Sequence, residues 1–137
     1  MAELHPTIKK VFQDMWNGHN VDVANELFEE DVSIYYGDDV VNGICVFKTL
    51  LEEWFLGIPN ICHVVDDSFS KDNKVVTRWH GYGTHTGPFC NIPASGKEFH
   101  YSGITIFELN ESNKITRAWA STDFNSQLQT LHEWVFL

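Results

Sequence analysis

From residue 61 onward the chain reads as four long strands with almost nothing between them, and that pattern constrains the fold more than any other feature of the sequence. Runs rich in β-branched and aromatic residues cover roughly 61–70, 74–86, 98–109 and 114–123. Lys71-Asp72-Asn73 and Asn110-Glu111-Ser112-Asn113 are short polar turns, so the strands they join pair antiparallel. The segment from Gly87 to Gly96 cannot be a ladder strand, because Pro88 and Pro93 remove backbone donors, and it is expected as a long loop.

The first half has the other periodicity. Ile8, Val11, Phe12, Met15 and Trp16 fall on one face of a helix that Pro6 can start. Asn17-Gly18-His19-Asn20 breaks it, and Asn20 can cap a second short helix marked by Val23, Ala24, Leu27 and Phe28. Val32 to Tyr36 reads as a strand closed by Gly37-Asp38-Asp39. Ile44, Phe47, Leu51, Trp54 and Phe55 mark a third helix, stopped by Gly57 and Pro59. Leu128, Leu131 and Val135 suggest a short C-terminal helix or docked tail. The expected fold class is α+β, a single domain over 1–137 with helices on one face of a bent sheet that can enclose a cavity.

Ten Phe, five Trp and four Tyr in 137 residues supply a large core and aromatic walls for such a cavity. A formal charge of −10 argues against nucleic acid and anionic membrane surfaces as partners. The apolar runs fall short of the roughly 20 residues of a membrane span, and the N-terminus has no apolar stretch of a secretion signal, so a cytoplasmic location is expected. Cys45, Cys62 and Cys90 lack CxxC spacing and are expected to be small buried hydrophobes. The histidines show neither HxH nor HxxxH spacing, so no metal is expected; nucleotide and nucleophile-elbow motifs are missing too, and no cofactor is expected.

The run from Val76 to Lys97, with Arg78-Trp79, Gly83-Thr84-His85, Gly87, Phe89 and Ile92-Pro93-Ala94-Ser95-Gly96, resembles the signature of SnoaL-like polyketide cyclases. The likeness continues through Gly103-Ile104-Thr105-Ile106-Phe107, the Lys114 to Trp119 strand, Asp123 and Gln127-Leu128. It implies the cone-shaped α+β barrel of the nuclear transport factor 2-like superfamily, with three N-terminal helices on a strongly curved, mixed but mostly antiparallel sheet, and a homodimer formed by packing of sheets. Members of the family are described as cofactor-free cyclases that close a ring by aldol condensation with an Asp and a His. At the matching positions this chain has Ala120 and Thr105, neither of which shuttles a proton near neutral pH. A broader ester-cyclase set carries an Asp four residues after the strand Trp, as Asp123 stands here.

In the last strand Arg117, Trp119, Ser121 and Asp123 share one side, and Ala118, Ala120 and Thr122 the other. If the small face lines a cavity, it makes room for a ligand; if the strand end turns Asp123 inward, Asp123 is the leading base. Asp123 can equally cap a following helix or accept backbone N–H bonds. His85, at a strand end beside the long loop, suits proton transfer, or else satisfies loop backbone groups. Arg78 either forms an ion pair with Asp66, Asp67 or Asp123, or anchors an oxyanion, a role open also to Tyr101. His63, Trp16, Tyr36, Trp54, Tyr101, Thr105, Trp119 and Ala120 complete the candidate substrate-binding set. The expected function is cofactor-independent acid/base chemistry on a small hydrophobic carbonyl compound, of cyclase, isomerase or dehydratase type, with His85 and Asp123 as the pair. The alternative is a non-catalytic ligand-binding or dimerisation module of the same fold.

Overall fold

The N-terminal helix begins where the sequence allows it most cheaply, with Pro6 at its first position and His5 Nδ1 accepting the Thr7 N–H at 3.2 Å. The structure is a computed structural model that describes residues 3–89, 91–124, 126 and 127. Helix α1 covers Pro6–Lys10 and continues as a π-helical segment, Val11–Trp16, closed by the Asn17 N–H on the Phe12 carbonyl five residues back at 3.0 Å. Such wide turns are rare and are found mostly at functional sites. Asn20 then caps a 3₁₀ turn, Val21–Val23, by accepting the Asp22 and Val23 N–H groups at 3.1 and 3.3 Å. Helix α2, Ala24–Leu27, runs directly into strand β1, Phe28–Tyr36.

Strand β2, Asp39–Asn42, departs from the expectation that the chain passes from Gly37-Asp38-Asp39 straight to a helix. Gly37 takes a left-handed φ of 60°, and the chain turns back so that Asp39 opposes Tyr36. The Val40-Val41 pair is too short to announce a strand without its partner. Helix α3 follows over Ile44–Gly57, and β3 Cys62–Lys71, β4 Lys74–Thr84, β5 Glu98–Leu109 and β6 Ile115–Thr122 complete the sheet.

The strand order is β2-β1-β6-β5-β4-β3, with β1 and β6 parallel and every other pair antiparallel. Asp72 and Asn113, at φ 56° and 61°, sit in the two turns read from the sequence. Register shifts at Val65/Asp67 and Glu108/Leu109 bend the strands. Along β4, Val75, Thr77, Trp79, Gly81 and Gly83 are buried and the residues between them are not, so one face meets the helices and the other faces out. The fold class matches the expectation: three helices on a curved, mixed, mostly antiparallel sheet.

The suggested helix at Leu128, Leu131 and Val135 lies outside the described residues, as does Cys90. Cys45 is exposed and Cys62 half-buried, so the expectation of buried cysteines fails at Cys45, which lies on the solvent side of α3. Among the described residues no helix is long and apolar enough to cross a membrane.

Candidate functional site

The concave face of the sheet and the helices do not close on each other; they leave a cavity of about 420 Å³. Phe12 and Trp16 of the π-helical segment and Phe47, Leu51 and Trp54 of α3 form its helical side. Ile34 and Tyr36 of β1, Ala118 and Ala120 of β6, Thr105 and Phe107 of β5, Trp79 of β4 and His63 of β3 form the sheet side. Phe89 from the long loop and Phe124, stacked on Trp54 with ring centres 4.3 Å apart, also line it. Protein interiors ordinarily leave few voids larger than a water molecule. This one exists partly because β6 turns its small residues inward, which decides the face left open by the sequence.

Among the described lining residues one titratable side chain, His63, is buried. His63 is 3% exposed, its ring 4.3 Å from that of Trp16 and 5.0 Å from that of Trp79. Asn17, the first residue after the π-helical segment, grips its backbone: the His63 N–H donates to Asn17 Oδ1 at 2.7 Å and Asn17 Nδ2 donates to the His63 carbonyl at 2.9 Å. The His63 Nε2 is hydrogen-bonded to the Tyr101 hydroxyl. Nδ1 has no hydrogen-bond partner among the described residues. Burial, with a smaller push from His80, lowers the His63 pKa to about 3, so the imidazole is neutral at physiological pH. Burial likewise raises the Tyr101 phenol, which stays protonated.

The pair meets across an intervening strand. In the sheet register His63 opposes Gly81, and Gly81 opposes Tyr101. A Cβ on Gly81 would sit 2.5 Å from His63 Cδ2 and 2.6 Å from Tyr101 Cζ, so only glycine lets the two side chains meet over β4. Beside them, Trp79 Nε1 donates to Thr105 Oγ1 at 3.0 Å, which fixes the indole in the cavity wall.

The expected residues divide. Trp16, Tyr36, Trp54, His63, Thr105 and Ala120 line the cavity, and Tyr101 stands behind His63. His85 and Asp123 line no part of it, and they are held by different structures. His85 is fully buried in the base of the long loop, where Nδ1 accepts the Ser95 N–H at 3.3 Å and lies 2.9 Å from the Ser95 hydroxyl. Its backbone is tied to Lys97 and Gly96 at 2.9 and 2.8 Å, and burial lowers its pKa. Asp123 lies at the exposed end of β6, where Oδ1 accepts the Ser102 N–H at 2.7 Å. Neither His85 nor Asp123 reaches the cavity lining, and no hydrogen bond or ion pair joins the two among the described residues.

Arg78 and Trp119 also face away from the cavity. Alternation along β4 turns Arg78 out to an exposed position, with Asp66 4.0 Å away. Trp119 stacks on Tyr35 with ring centres 5.8 Å apart on the outer face of β6 and β1, under the Arg117 guanidinium.

Asn17 and Gly81 were missed by the sequence reading, which took Asn17 for a helix breaker. The one hint was a glycine in the middle of a strand, which marks a close approach. Asp39 and Glu53, also on the cavity lining, escaped because β2 was not foreseen and Glu53 lies on the polar side of the α3 pattern. Among the described residues no group of three His, Cys, Asp or Glu could hold a metal ion.

The architecture is shared with solved structures. A candidate SnoaL-like polyketide cyclase from Jannaschia sp. CCS1 superposes with a TM-score of 0.83 at 20% identity, over 96% of this chain and 98% of that one. AclR, a candidate hydroxylase from Streptomyces galilaeus, gives 0.80 at 16% identity over 91% and 81%. IdmH, a candidate polyketide cyclase from Streptomyces antibioticus, gives 0.76 at 19% identity over 91% and 94%. At these identities the likeness is one of fold. No curated protein matches the chain significantly. The family model for the SnoaL-like polyketide cyclases matches residues 7–131, nearly the whole chain, which therefore belongs to that family.

Proposed function

We propose that the protein binds a flat hydrophobic carbonyl compound in the cavity and promotes cofactor-independent chemistry of the enolising type, with His63 as the polar contact for the carbonyl oxygen. The observation that carries this reading is a buried, neutral imidazole in a mostly apolar, aromatic-rich wall, with Nε2 engaged by Tyr101 and Nδ1 unengaged among the described residues. When the Tyr101 hydroxyl donates to Nε2, the imidazole proton is on Nδ1 and can be donated to a ligand oxygen. A neutral imidazole with so low a pKa is a poor base but a sound hydrogen-bond donor to developing oxyanion charge.

A panel of aryl ketones and β-keto esters tests this by quenching of tryptophan fluorescence, since Trp16, Trp54 and Trp79 all line the cavity, and by absorbance for turnover. Binding and turnover that His63→Phe weakens support the reading; ligand affinity and turnover unchanged in His63→Phe overturn it. The second reading is a non-catalytic binding module, favoured by Thr105 and Ala120 at the positions where the family resemblance places its His and Asp. Binding without turnover across the panel would favour it.

The reading includes a homodimer formed through the outer sheet face and a cytosolic setting in which Cys45 and Cys62 stay as thiols. That face exposes Val64, Tyr82 and Ile104 beside groups of both signs, Arg78 with Asp66 and His100 with Glu98, a mixture compatible with a self-complementary two-fold contact. A monomer in sedimentation would remove the dimer.

A further inference from the structure

Trp79 fixes which way the hydroxyl of Thr105 can point. An indole nitrogen only donates, so in the 3.0 Å contact between Trp79 Nε1 and Thr105 Oγ1 the threonine is the acceptor. The Thr105 hydroxyl hydrogen is left to point elsewhere, and among the described residues nothing accepts it. Thr105 is 7% exposed and lines the cavity. Its neighbours across the sheet leave space and offer no substitute. Ala120 opposes it on β6 with only a methyl group, and Thr77 opposes it on β4 with a hydroxyl already donated to the Thr105 carbonyl at 3.2 Å.

His63 repeats the arrangement: Nε2 is engaged by the Tyr101 hydroxyl and Nδ1 is unengaged among the described residues. Both groups pack on the same indole. The His63 ring centre is 5.0 Å from that of Trp79, and the Thr105 hydroxyl sits at the Trp79 ring nitrogen, so the two stand on one wall with a single aromatic side chain between them. A buried donor left unpaired costs free energy that a ligand acceptor recovers. We propose that Thr105 is a specificity-determining donor to a second oxygen of the ligand, which makes the ligand a flat apolar compound with two oxygen acceptors held about one ring apart. This inference rests on the reading that His63 meets a carbonyl oxygen, and adds the second oxygen and the residue that selects it.

Three probes of one shape separate the two claims: 2,2-dimethyltetralin, its 1-ketone and its 1,4-diketone, titrated by tryptophan quenching and calorimetry. Each oxygen is expected to tighten binding by about fivefold, the worth of one neutral hydrogen bond. Thr105→Val is close to isosteric but also strips Trp79 of its acceptor, so the readout is the ratio of affinities among the probes and not any one affinity. In Thr105→Val the diketone and monoketone are expected to bind within about twofold of each other, with the monoketone's advantage over the hydrocarbon kept. Thr105→Ser, which retains a hydroxyl, is expected to keep the wild-type ratios. A diketone advantage that survives Thr105→Val, or an equal loss for all three probes in that variant, overturns the assignment of Thr105. A monoketone no tighter than the hydrocarbon overturns the His63 reading instead, and failure of all three probes to bind wild type overturns both.

Discussion

His63 and Tyr101 are hydrogen-bonded although their strands are not neighbours, and Gly81 on the strand between them is what allows the contact. A polar pair is thereby placed among aromatic rings, supported on one side by Asn17 and on the other by the Trp79 and Trp16 rings. The consequences can be measured.

Gly81→Ala places a methyl group within 2.5 Å of His63 and 2.6 Å of Tyr101, on backbone that cannot move without breaking two ladders. Forced overpacking costs about 1–3 kcal/mol. Urea unfolding should show that loss, and an unchanged midpoint would mean the two rings have room to part.

Tyr101→Phe leaves His63 Nε2 buried without its partner, at a cost of about 1–3 kcal/mol. His63→Phe with Tyr101→Phe removes both polar groups, and the double variant should be more stable than the sum of the single losses predicts. A double-mutant cycle by denaturant unfolding decides this. Strict additivity would mean that the pair is not coupled.

The pH dependence of stability follows from His63. Its pKa in the folded protein, about 3, lies below the ordinary 6.5, so between these values the unfolded chain binds a proton that the native one refuses. Stability from this group is complete above about pH 6.5 and falls as pH drops toward 3, by an amount on the order of a few kcal/mol. His63→Phe should flatten that part of the profile relative to wild type. An equally steep fall in the variant would assign the loss to other groups.

Ala120→Leu fills space on the inward face of β6. It should abolish binding of a flat probe such as naphthylmethanol while leaving the protein folded, because the added methyl groups enter a void and not a packed core. Probe affinity and thermal midpoint, measured together, separate occupation of the cavity from damage to the fold.

Asp123→Asn and His85→Ala test the outer and loop positions. Asp123→Asn keeps an oxygen for the Ser102 N–H and should leave cavity binding within about twofold, since Asp123 does not reach the lining. His85→Ala removes the acceptor of the Ser95 N–H and should loosen the loop, seen as faster amide exchange around Ser95 and Gly96. Loss of turnover in Asp123→Asn with binding intact would return that residue to the chemistry.

Much of this architecture can be read along the chain. The helix-period positions of the first half and the paired runs beyond residue 61 are local patterns, and they specify the α+β class, the two tight hairpins and the long Pro-rich loop before any contact is known. Alternation also sorted β6 into one small face and one large face. Which face turns toward the helices is a property of the whole sheet, and only packing decided that Ala118 and Ala120 line the cavity while Trp119 and Asp123 look outward. The same holds for β2, four residues that are a strand only because β1 lies beside them. His63 reads in sequence as one histidine among seven. Its role depends on Gly81, Tyr101 and Asn17, 18 or more positions away, which the sheet register and a π-helical turn bring to it. Periodicity is encoded over a few neighbouring residues and so is legible. The site is made of contacts between distant ones, and these exist only once the chain has folded.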